Sequence, residues 1–145
     1  MKPYKPDIQK FIDAILETEM RVDRKILNIL TEETMTVIRE PESGLVMMSV
    51  KDSTGTDFHL GEVLVTEAEV AYQGCHGYAM ITGNAPEKAL VRAGIMAVFD
   101  SENEPLKRRL SKLLTPEVKK ICTRRSREKA LSATTRVNFE TMTVW

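Results

Sequence analysis

Cysteine, histidine and aromatic residues are scarce in this sequence. The 145 residues include two cysteines and two histidines, and 6% are aromatic against 29% charged. Two cysteines can form only one disulfide, which is too few for a small secreted domain that depends on disulfides for stability, so free thiols in a reducing compartment are expected. Neither histidine stands at helical spacing from another metal ligand, which argues against a zinc site built by this chain alone. The excess of charged over aromatic residues argues against a membrane span or a low-complexity chain.

Long apolar runs and nucleotide-binding loops are also missing. No window approaches the roughly 18–20 apolar residues that a transmembrane helix requires. The first residues, MKPYKPDIQKF, hold prolines and charges where a secretory signal has an apolar run, so the sequence predicts a cytoplasmic protein. Neither GxxxxGKS/T nor GxGxxG occurs, and any contact with ATP must therefore be made differently.

The composition is that of one ordinary folded domain. With 42% hydrophobic residues, a single domain over residues 1–145 can bury roughly two-thirds of its unfolded surface. The order of patterns along the chain predicts an α+β fold. It consists of a helical hairpin over residues 1–33, an antiparallel sheet over 34–84, and helices with a C-terminal strand over 85–145.

Two apolar stripes near the N-terminus repeat at helical spacing. The first consists of Ile8, Phe11, Ile12, Ile15 and Leu16. The second consists of Val22, Ile26, Leu27, Ile29 and Leu30. Because only a tight connection separates the stripes, two short helices packed as a hairpin are predicted, the first of them starting from a cap at Asp7.

Alternating residues and turn signals over 34–84 predict four antiparallel strands in meander order. The segment EPESG at residues 40–44 is interpreted as a turn between the first two strands. A long bent strand is predicted over residues 58–72, with a bulge at Gly61 or at residues 65–68. The segment QGCHG then reverses the chain into the last strand.

A strongly apolar helix is predicted to follow the sheet. Asn84, Pro86 and Glu87 form a cap-like start, and nine of the eleven residues at 89–99 are apolar. Such a helix must be buried on more than one side, either as the central helix of the domain or against another protein. The second alternative makes three side chains candidate partner contacts: Leu90, Met96 and Phe99.

Positive charge concentrates in the C-terminal third, although the net charge of the chain is zero. Residues 105–130 carry ten Lys or Arg and two Glu, a local charge of +8 that leaves −8 for the remainder. Such a segment should attract anions, either phosphate groups or an acidic protein surface. The alternative is a solvated helix face without a partner.

Two basic helices are predicted in this segment, separated at residues 115–116 and ending near residue 133. Three candidate anion or partner contacts share one face of the second helix: Lys120, Arg124 and Arg127. Residues 137–145 have strand-like composition, which predicts a terminal strand. Three more candidate contacts lie in this last part of the chain: Arg136, Phe139 and Met142.

No residue is predicted to be catalytic, and no cofactor-binding or metal-binding residue is identified. Cys75 and His76 could form a reactive ion pair, but adjacent residues of an extended chain point to opposite faces. Glu62, Glu67 and Glu69 resemble a carboxylate site for acid/base chemistry, but solvent-facing strand residues show the same spacing. The basic helix leaves open a nucleic-acid-binding or other protein-interaction module, although it lacks interleaved aromatic residues.

Four segments, taken in order, resemble one known family. They are TVIREPESGLVMM (36–48), TGTDFHLGEVLVTEAEV (54–70), GYAMITGNAPEKAL (77–90) and TTRVNFETM (134–142). This sequence resembles the G subunit of the bacterial carbon–phosphorus lyase core complex, the PhnG family. The resemblance spans most of the chain, is weaker in the N-terminal helices and the basic region, and leaves Cys75 outside the family's pattern.

The resemblance implies a subunit of a transferase complex in phosphonate breakdown. The family works with H, I and J subunits, two copies of each with two of the G subunit, and with an ATP-binding-cassette-like L protein. The G, H and I subunits are associated with displacing adenine from ATP by a phosphonate, which forms α-D-ribose 1-phosphonate 5-triphosphate. ATP is then a substrate of the complex, and no cofactor is expected on this chain alone.

The resemblance also implies that the catalytic groups lie on other subunits. The I subunit is thought to supply nucleosidase-type chemistry and the J subunit the iron–sulfur radical step, so their catalytic residues have no counterparts to assign here. A physical role for the G subunit is to cover and order a neighbour's surface. Excluding water there favours transfer of the ribose carbon to a phosphonate over hydrolysis.

Overall fold

The computed structural model of the chain describes residue 11 and residues 13–135. The helices and strands follow in the order α1 Met20–Thr31, β1 Thr36–Lys51, β2 Asp57–Tyr72, β3 Cys75–Thr82, α2 Pro86–Asp100 and α3 Glu104–Thr134. This order confirms the predicted α+β class. The predicted terminal strand, at residues 137–145, lies outside the described residues.

The second of the two predicted N-terminal helices is present as α1. Its apolar stripe faces the core through three buried residues, Ile26, Ile29 and Leu30. Before it, residues 13–15 are helical and residues 16–17 form a turn. The first predicted helix is therefore seen only in part, because residues 7–10 and 12 lie outside the described part of the chain.

Within residues 13–135 the sheet has three antiparallel strands in the order β1-β2-β3, so the prediction of four strands over residues 34–84 is wrong. Residues 40–44 do not form a turn but lie inside β1, whose pairing with β2 shifts between Arg39 and Glu42. Proline has no backbone N–H and is tolerated in strands at edges and bulges. Pro41 meets both conditions, since β1 is an edge strand among the described strands and the shift places Pro41 in a bulge.

Of the two bulge positions predicted in the long second strand, Gly61 is confirmed. The pairing of β1 with β2 shifts between Met48 and Ser49, opposite Gly61 and His59. Gly61 has a φ of +145°, a conformation that residues with a side chain rarely adopt. Residues 65–68 pair with β3 without a shift, whereas the pairing of β1 with β2 shifts between Glu67 and Glu69, where the extra residues belong to β1.

Both connections of the sheet are tight turns with a local chemical cause. Between β1 and β2, Asp52 Oδ1 accepts hydrogen bonds from the backbone N–H groups of Thr54 (2.8 Å) and Thr56 (2.9 Å). Between β2 and β3, Gln73 and Gly74 both have positive φ, as a two-residue hairpin turn requires. The reversal predicted over QGCHG is thus confined to two residues, and β3 begins directly after them.

Helix α2 packs against β2 and β3 and forms the centre of the fold. Its buried residues are Ala89, Val91, Ala93, Gly94, Ile95, Ala97 and Val98. One side of the helix meets the sheet and another meets α1, where the Leu30 side chain lies over Gly94. Of the two alternatives that the sequence leaves open for this helix, the structure favours the central helix.

The start of α2 is capped differently from the prediction. No side-chain capping bond forms at its N-cap, and Asn84 Oδ1 instead accepts a hydrogen bond from Ser43 Oγ at 3.3 Å. The Thr66 hydroxyl accepts the backbone N–H of Ala85 at 3.0 Å. A residue of β2 therefore accepts a hydrogen bond from a free backbone N–H group at the start of the helix. The local pattern around Asn84 and Glu87 cannot reveal this partner, because β2 is distant in sequence.

The two predicted basic helices are one continuous helix, α3, with Pro116 in its interior. Asn103 caps its start by accepting the N–H of Leu106 at 3.0 Å. An interior proline costs about 3 kcal/mol because it removes a hydrogen bond and clashes with the preceding turn. Buried residues lie on both sides of the proline and offset this cost: Leu106, Leu110, Leu114 and Ile121.

A carboxyl group is buried where the N-terminal segment meets α1. Asp23 is 1% exposed, and its Oδ1 lies 2.5 Å from the Thr18 hydroxyl, which is also 2.8 Å from the Ile15 carbonyl oxygen. The Thr18 hydroxyl donates to Asp23 Oδ1 and also lies within hydrogen-bond distance of the Ile15 carbonyl oxygen, so its single proton is shared between two acceptors. Burial raises the pKa of Asp23, against the opposing effects of Thr18 and of Lys88, whose ammonium is 4.0 Å away.

We expect Gly77→Ala to lower the free energy of unfolding by about 3 kcal/mol or more. A Cβ at this position would lie 1.9 Å from the Ala93 carbonyl oxygen and 2.7 Å from the Ala97 amide nitrogen, and both are backbone atoms. Urea unfolding measures the change. Gly44→Ala is the matched control, because a Cβ there meets nothing within 4 Å. Equal effects of the two substitutions would contradict the close packing of α2 on β3.

We expect Asp23→Asn to stabilise the chain at neutral pH and to have little effect near pH 3. Because the pKa of Asp23 is raised above its ordinary value of 3.8, the folded state binds the proton more tightly than the unfolded state. The stabilisation from this tighter proton binding is complete at pH values below the ordinary pKa. It is lost as the pH rises through the raised pKa of the folded state. Asparagine keeps the shape of the protonated acid but does not titrate, so its advantage should grow with pH.

Denaturant unfolding of both chains at several pH values tests this expectation. Asp100→Asn, at an exposed carboxyl at the end of α2, is the control and should change stability by no more than about 0.5 kcal/mol. A wild-type chain that is more stable than Asp23→Asn at pH 7 would show that Asp23 acts as a stabilising carboxylate paired with Lys88.

Candidate functional site

The second half of α3 presents a basic face, as the sequence predicts. An open groove runs along this face between Pro116 and Arg127, and its lining residues are Pro116, Lys119, Lys120, Thr123, Arg124 and Arg127. The spacing of three, four and seven residues places them on one side of the helix. The structure thus brings Lys120, Arg124 and Arg127 together, and this part of the prediction is confirmed.

This basic half of α3 lies outside the core. Ile121 is its last buried residue, and every residue from 122 to 135 is exposed. At 1.5 Å per residue, the exposed part is about 20 Å long. Arg124 and Arg125 form ion pairs with Glu17 and so connect this part of the helix to the N-terminal segment. A helix end of this length and charge is therefore available to another molecule.

The ion pairs along this helix leave part of its positive charge unbalanced. Hydrogen bonds from Arg125 and Arg124 hold the pKa of Glu17 below its ordinary value, although burial opposes them. Glu117 accepts a hydrogen bond from Lys120 at 2.7 Å and raises the pKa of that ammonium. Two other basic residues of the groove, Lys119 and Arg127, form no ion pair with the described residues. The groove can bind carboxylates or phosphates.

The apolar candidate contacts on α2 are placed differently from the basic ones. Leu90 and Phe99 are partly buried and pack against the core. The ring of Phe99 lies 5.7 Å from the ring of Phe11, and Met96 is also partly buried. The core accounts for much of their apolar surface, and their role as partner contacts stays a prediction. The other three candidates lie outside the described residues: Arg136, Phe139 and Met142.

The sequence analysis missed an apolar arm at the far end of the sheet. The last pair between β2 and β3 joins Val65 to Thr82, and beyond it β1 and β2 continue as a two-stranded ribbon, here called the β arm (residues 45–64). Seven of its large apolar side chains are exposed: Leu45, Val46, Met47, Met48, Phe58, Leu60 and Leu64. The signal was the nearly continuous apolar run at residues 45–50, which is typical of a strand covered on both faces.

The carboxylates considered for acid/base chemistry take part in cross-strand pairs. Glu67 accepts hydrogen bonds from Arg39 at 2.5 Å and from the Tyr78 hydroxyl at 2.7 Å. The Tyr78 and Arg39 donors hold the pKa of Glu67 below its ordinary value, which suits an ion pair and not a general acid. Glu69 lies 3.4 Å from the ring of His76, and Glu62 is exposed on the β arm.

The Cys75 and His76 pair shows no arrangement for thiol chemistry. Both are residues of β3, so their side chains point to opposite faces of the sheet. His76 faces Glu69, and Cys75 is a partly buried free thiol. Within the described part of the chain, no three His, Cys, Asp or Glu side chains are grouped so that they could hold a metal ion.

A second concave site lies between the start of α1 and the start of α2. It is lined by Met20, Asp23, Asn84, Ala85, Pro86, Glu87 and Lys88. The ammonium group of Lys88 in this site already donates hydrogen bonds to the carbonyl oxygens of Leu16 (3.1 Å) and Thr18 (3.0 Å). This arrangement fastens the N-terminal segment to α2 and offers no free cation to an anionic ligand.

Two searches compare the chain with known proteins. A family model described as "Phosphonate metabolism protein PhnG" matches residues 9–144. No curated protein matches the sequence with significant similarity. Among the described residues, no helix has both the length and the apolar character needed to cross a lipid bilayer.

Proposed function

The chain belongs to the PhnG family of phosphonate metabolism proteins, and from this membership we propose that it is a binding subunit of the carbon–phosphorus lyase core complex. Its partners in this proposal are the H, I and J subunits, two copies of each with two of this chain, assisted by the ATP-binding-cassette-like L protein in the cytoplasm. The supporting observation is the basic face of α3, which carries charge and lies outside the core.

The proposed reaction of the complex transfers ribose from adenine to a phosphonate. The bond between the ribose C1′ and adenine breaks, a phosphonate oxygen forms a bond to C1′, and α-D-ribose 1-phosphonate 5-triphosphate and adenine result. Water competes with the phosphonate for the same carbon. A subunit that covers the reacting site on its neighbour excludes this water and favours transfer, without supplying a catalytic group of its own.

In this proposal the basic groove binds negative charge at the subunit boundary. The long side chains of Lys120, Arg124 and Arg127 project from the half of α3 that lies outside the core. Their counterpart is an acidic partner surface or the triphosphate of the substrate. The two counterparts have different consequences, since a protein contact supports assembly of the complex and a triphosphate contact supports turnover.

We expect the double variant Lys120→Glu/Arg124→Glu to weaken assembly of the complex or its turnover by at least about tenfold. The change replaces attraction with repulsion at two positions of the groove. Co-purification with the H, I and J subunits measures assembly, and phosphonate-dependent release of adenine from ATP measures turnover. Loss of assembly identifies an acidic partner surface, whereas normal assembly with slow turnover identifies the triphosphate.

The matched control is Arg108→Glu/Lys112→Glu. It makes the same change of charge, with the same spacing of four residues, at exposed positions in the other half of α3. Both assembly and turnover should survive it. If they also survive the first double variant, the basic face is solvated surface. Binding of the chain to random duplex DNA that falls steeply with salt would instead support the nucleic-acid alternative.

A further inference from the structure

We propose that the β arm inserts into an apolar cleft of a partner subunit, with basic residues at the mouth of the cleft. This inference rests on the proposed function, because it takes the chain to be part of a complex. It concerns a surface different from the basic groove on α3 and is carried by different residues.

Both faces of the β arm are apolar near its base. Residues directly opposite one another in an antiparallel pair share a face, and successive pairs alternate between faces. Leu45 pairs with Leu64 on one face, here called the first face, and Val46 pairs with Val63 on the other, the second face. Along β1, Met47 follows on the first face and Met48 on the second.

Apolar side chains on both faces are open to solvent. On the first face, Leu45 is 63% exposed and Met47 54%, and on the second face Val46 is 37% exposed and Met48 43%. A two-stranded ribbon is marginally stable in water by itself, and monomeric proteins rarely leave a large contiguous apolar patch uncovered. The outer edges of the ribbon are also unpaired within the described residues.

A cleft covers this surface better than a second copy of the chain. Two copies stacked through one face would leave the other face in water. One face also offers few apolar side chains, chiefly Leu45, Met47 and Leu64 on the first, whereas a stable interface needs about 800 Å² from each partner. A partner that encloses the ribbon covers both faces and both edges at once.

The charges of the arm indicate the chemistry of the mouth of that cleft. At the tip, Lys51 pairs with Asp57 at 3.3 Å, and the Asp52 carboxylate accepts hydrogen bonds from the turn. Nearer the base, Glu42 and Glu62 are exposed and form no ion pair with the described residues. Glu42 lies opposite Glu67 in the strand pairing, but the Glu67 carboxylate is already paired with Arg39, so Glu42 and Glu62 are the anionic groups that a partner's Lys or Arg would meet.

The test uses one substitution, methionine to lysine, at three exposed positions of the full chain. Met47→Lys charges the first face of the arm and Met48→Lys the second. Met20→Lys is the matched control, because Met20 is 60% exposed and lies on α1. Each variant is co-expressed with the H, I and J subunits, and the complex is recovered through a tag on a partner. Circular dichroism and thermal unfolding of the free variants confirm that each chain folds.

Both arm variants should reduce recovery of the complex at least tenfold, while Met20→Lys assembles like the wild type. Assembly that survives either arm variant would overturn the proposal, because a cleft contacts both faces. A free wild-type dimer that either arm variant converts to a monomer would also overturn it in favour of a second copy. If the wild-type chain does not assemble with the H, I and J subunits, both the proposed function and this inference are contradicted. If the wild-type chain assembles and the arm variants assemble equally well, only this inference is contradicted.

Discussion

The close contact between Gly77 of β3 and Ala93 of α2 is the interaction on which the placement of both candidate surfaces depends. Because residue 77 has no side chain, α2 lies directly on the sheet and can pack its other sides against α1 and α3. The helix begins at the level of Thr66, whose hydroxyl accepts the N–H of Ala85. No helix of the described part of the chain lies over the ribbon that extends past this level. The β arm is therefore a consequence of where the central helix begins.

The same division between a packed part and an unpacked part appears in α3. Leu106, Leu110 and Leu114 belong to the main core, and after Ile121 the helix has no buried residue. The packed half anchors the helix in the core, the helix continues through Pro116, and the exposed half carries the basic groove. An apolar ribbon and a cationic helix end thus extend from one core, and they suit contacts of different kinds. One surface gains from loss of water at apolar groups and the other from pairing of charges.

Several predictions from the sequence succeeded because they depend on neighbouring residues alone. The α+β order, the stripe of α1, the bulge at Gly61 and the shared face of Lys120, Arg124 and Arg127 all follow from short-range spacing. Three predictions failed where a distant residue decides the outcome. The turn at residues 40–44 is a bulge because β2 pairs with both sides of it, the cap of α2 comes from Thr66, and α3 continues through Pro116 because leucines on one side and Ile121 on the other are buried.

The sequence by itself determined the kinds of elements, their order, the basic character of α3 and membership of a family, because periodicity, charge and residue order are properties of the chain as written. Only the tertiary structure decided which of the apolar residues are covered. Leu90 and Phe99, two candidate partner contacts, pack partly against the core, whereas Met47 and Met48, which lie in an apolar run, are exposed. The physical reason is that burial depends on which distant elements reach a residue, and a helix covers a sheet only along its own length.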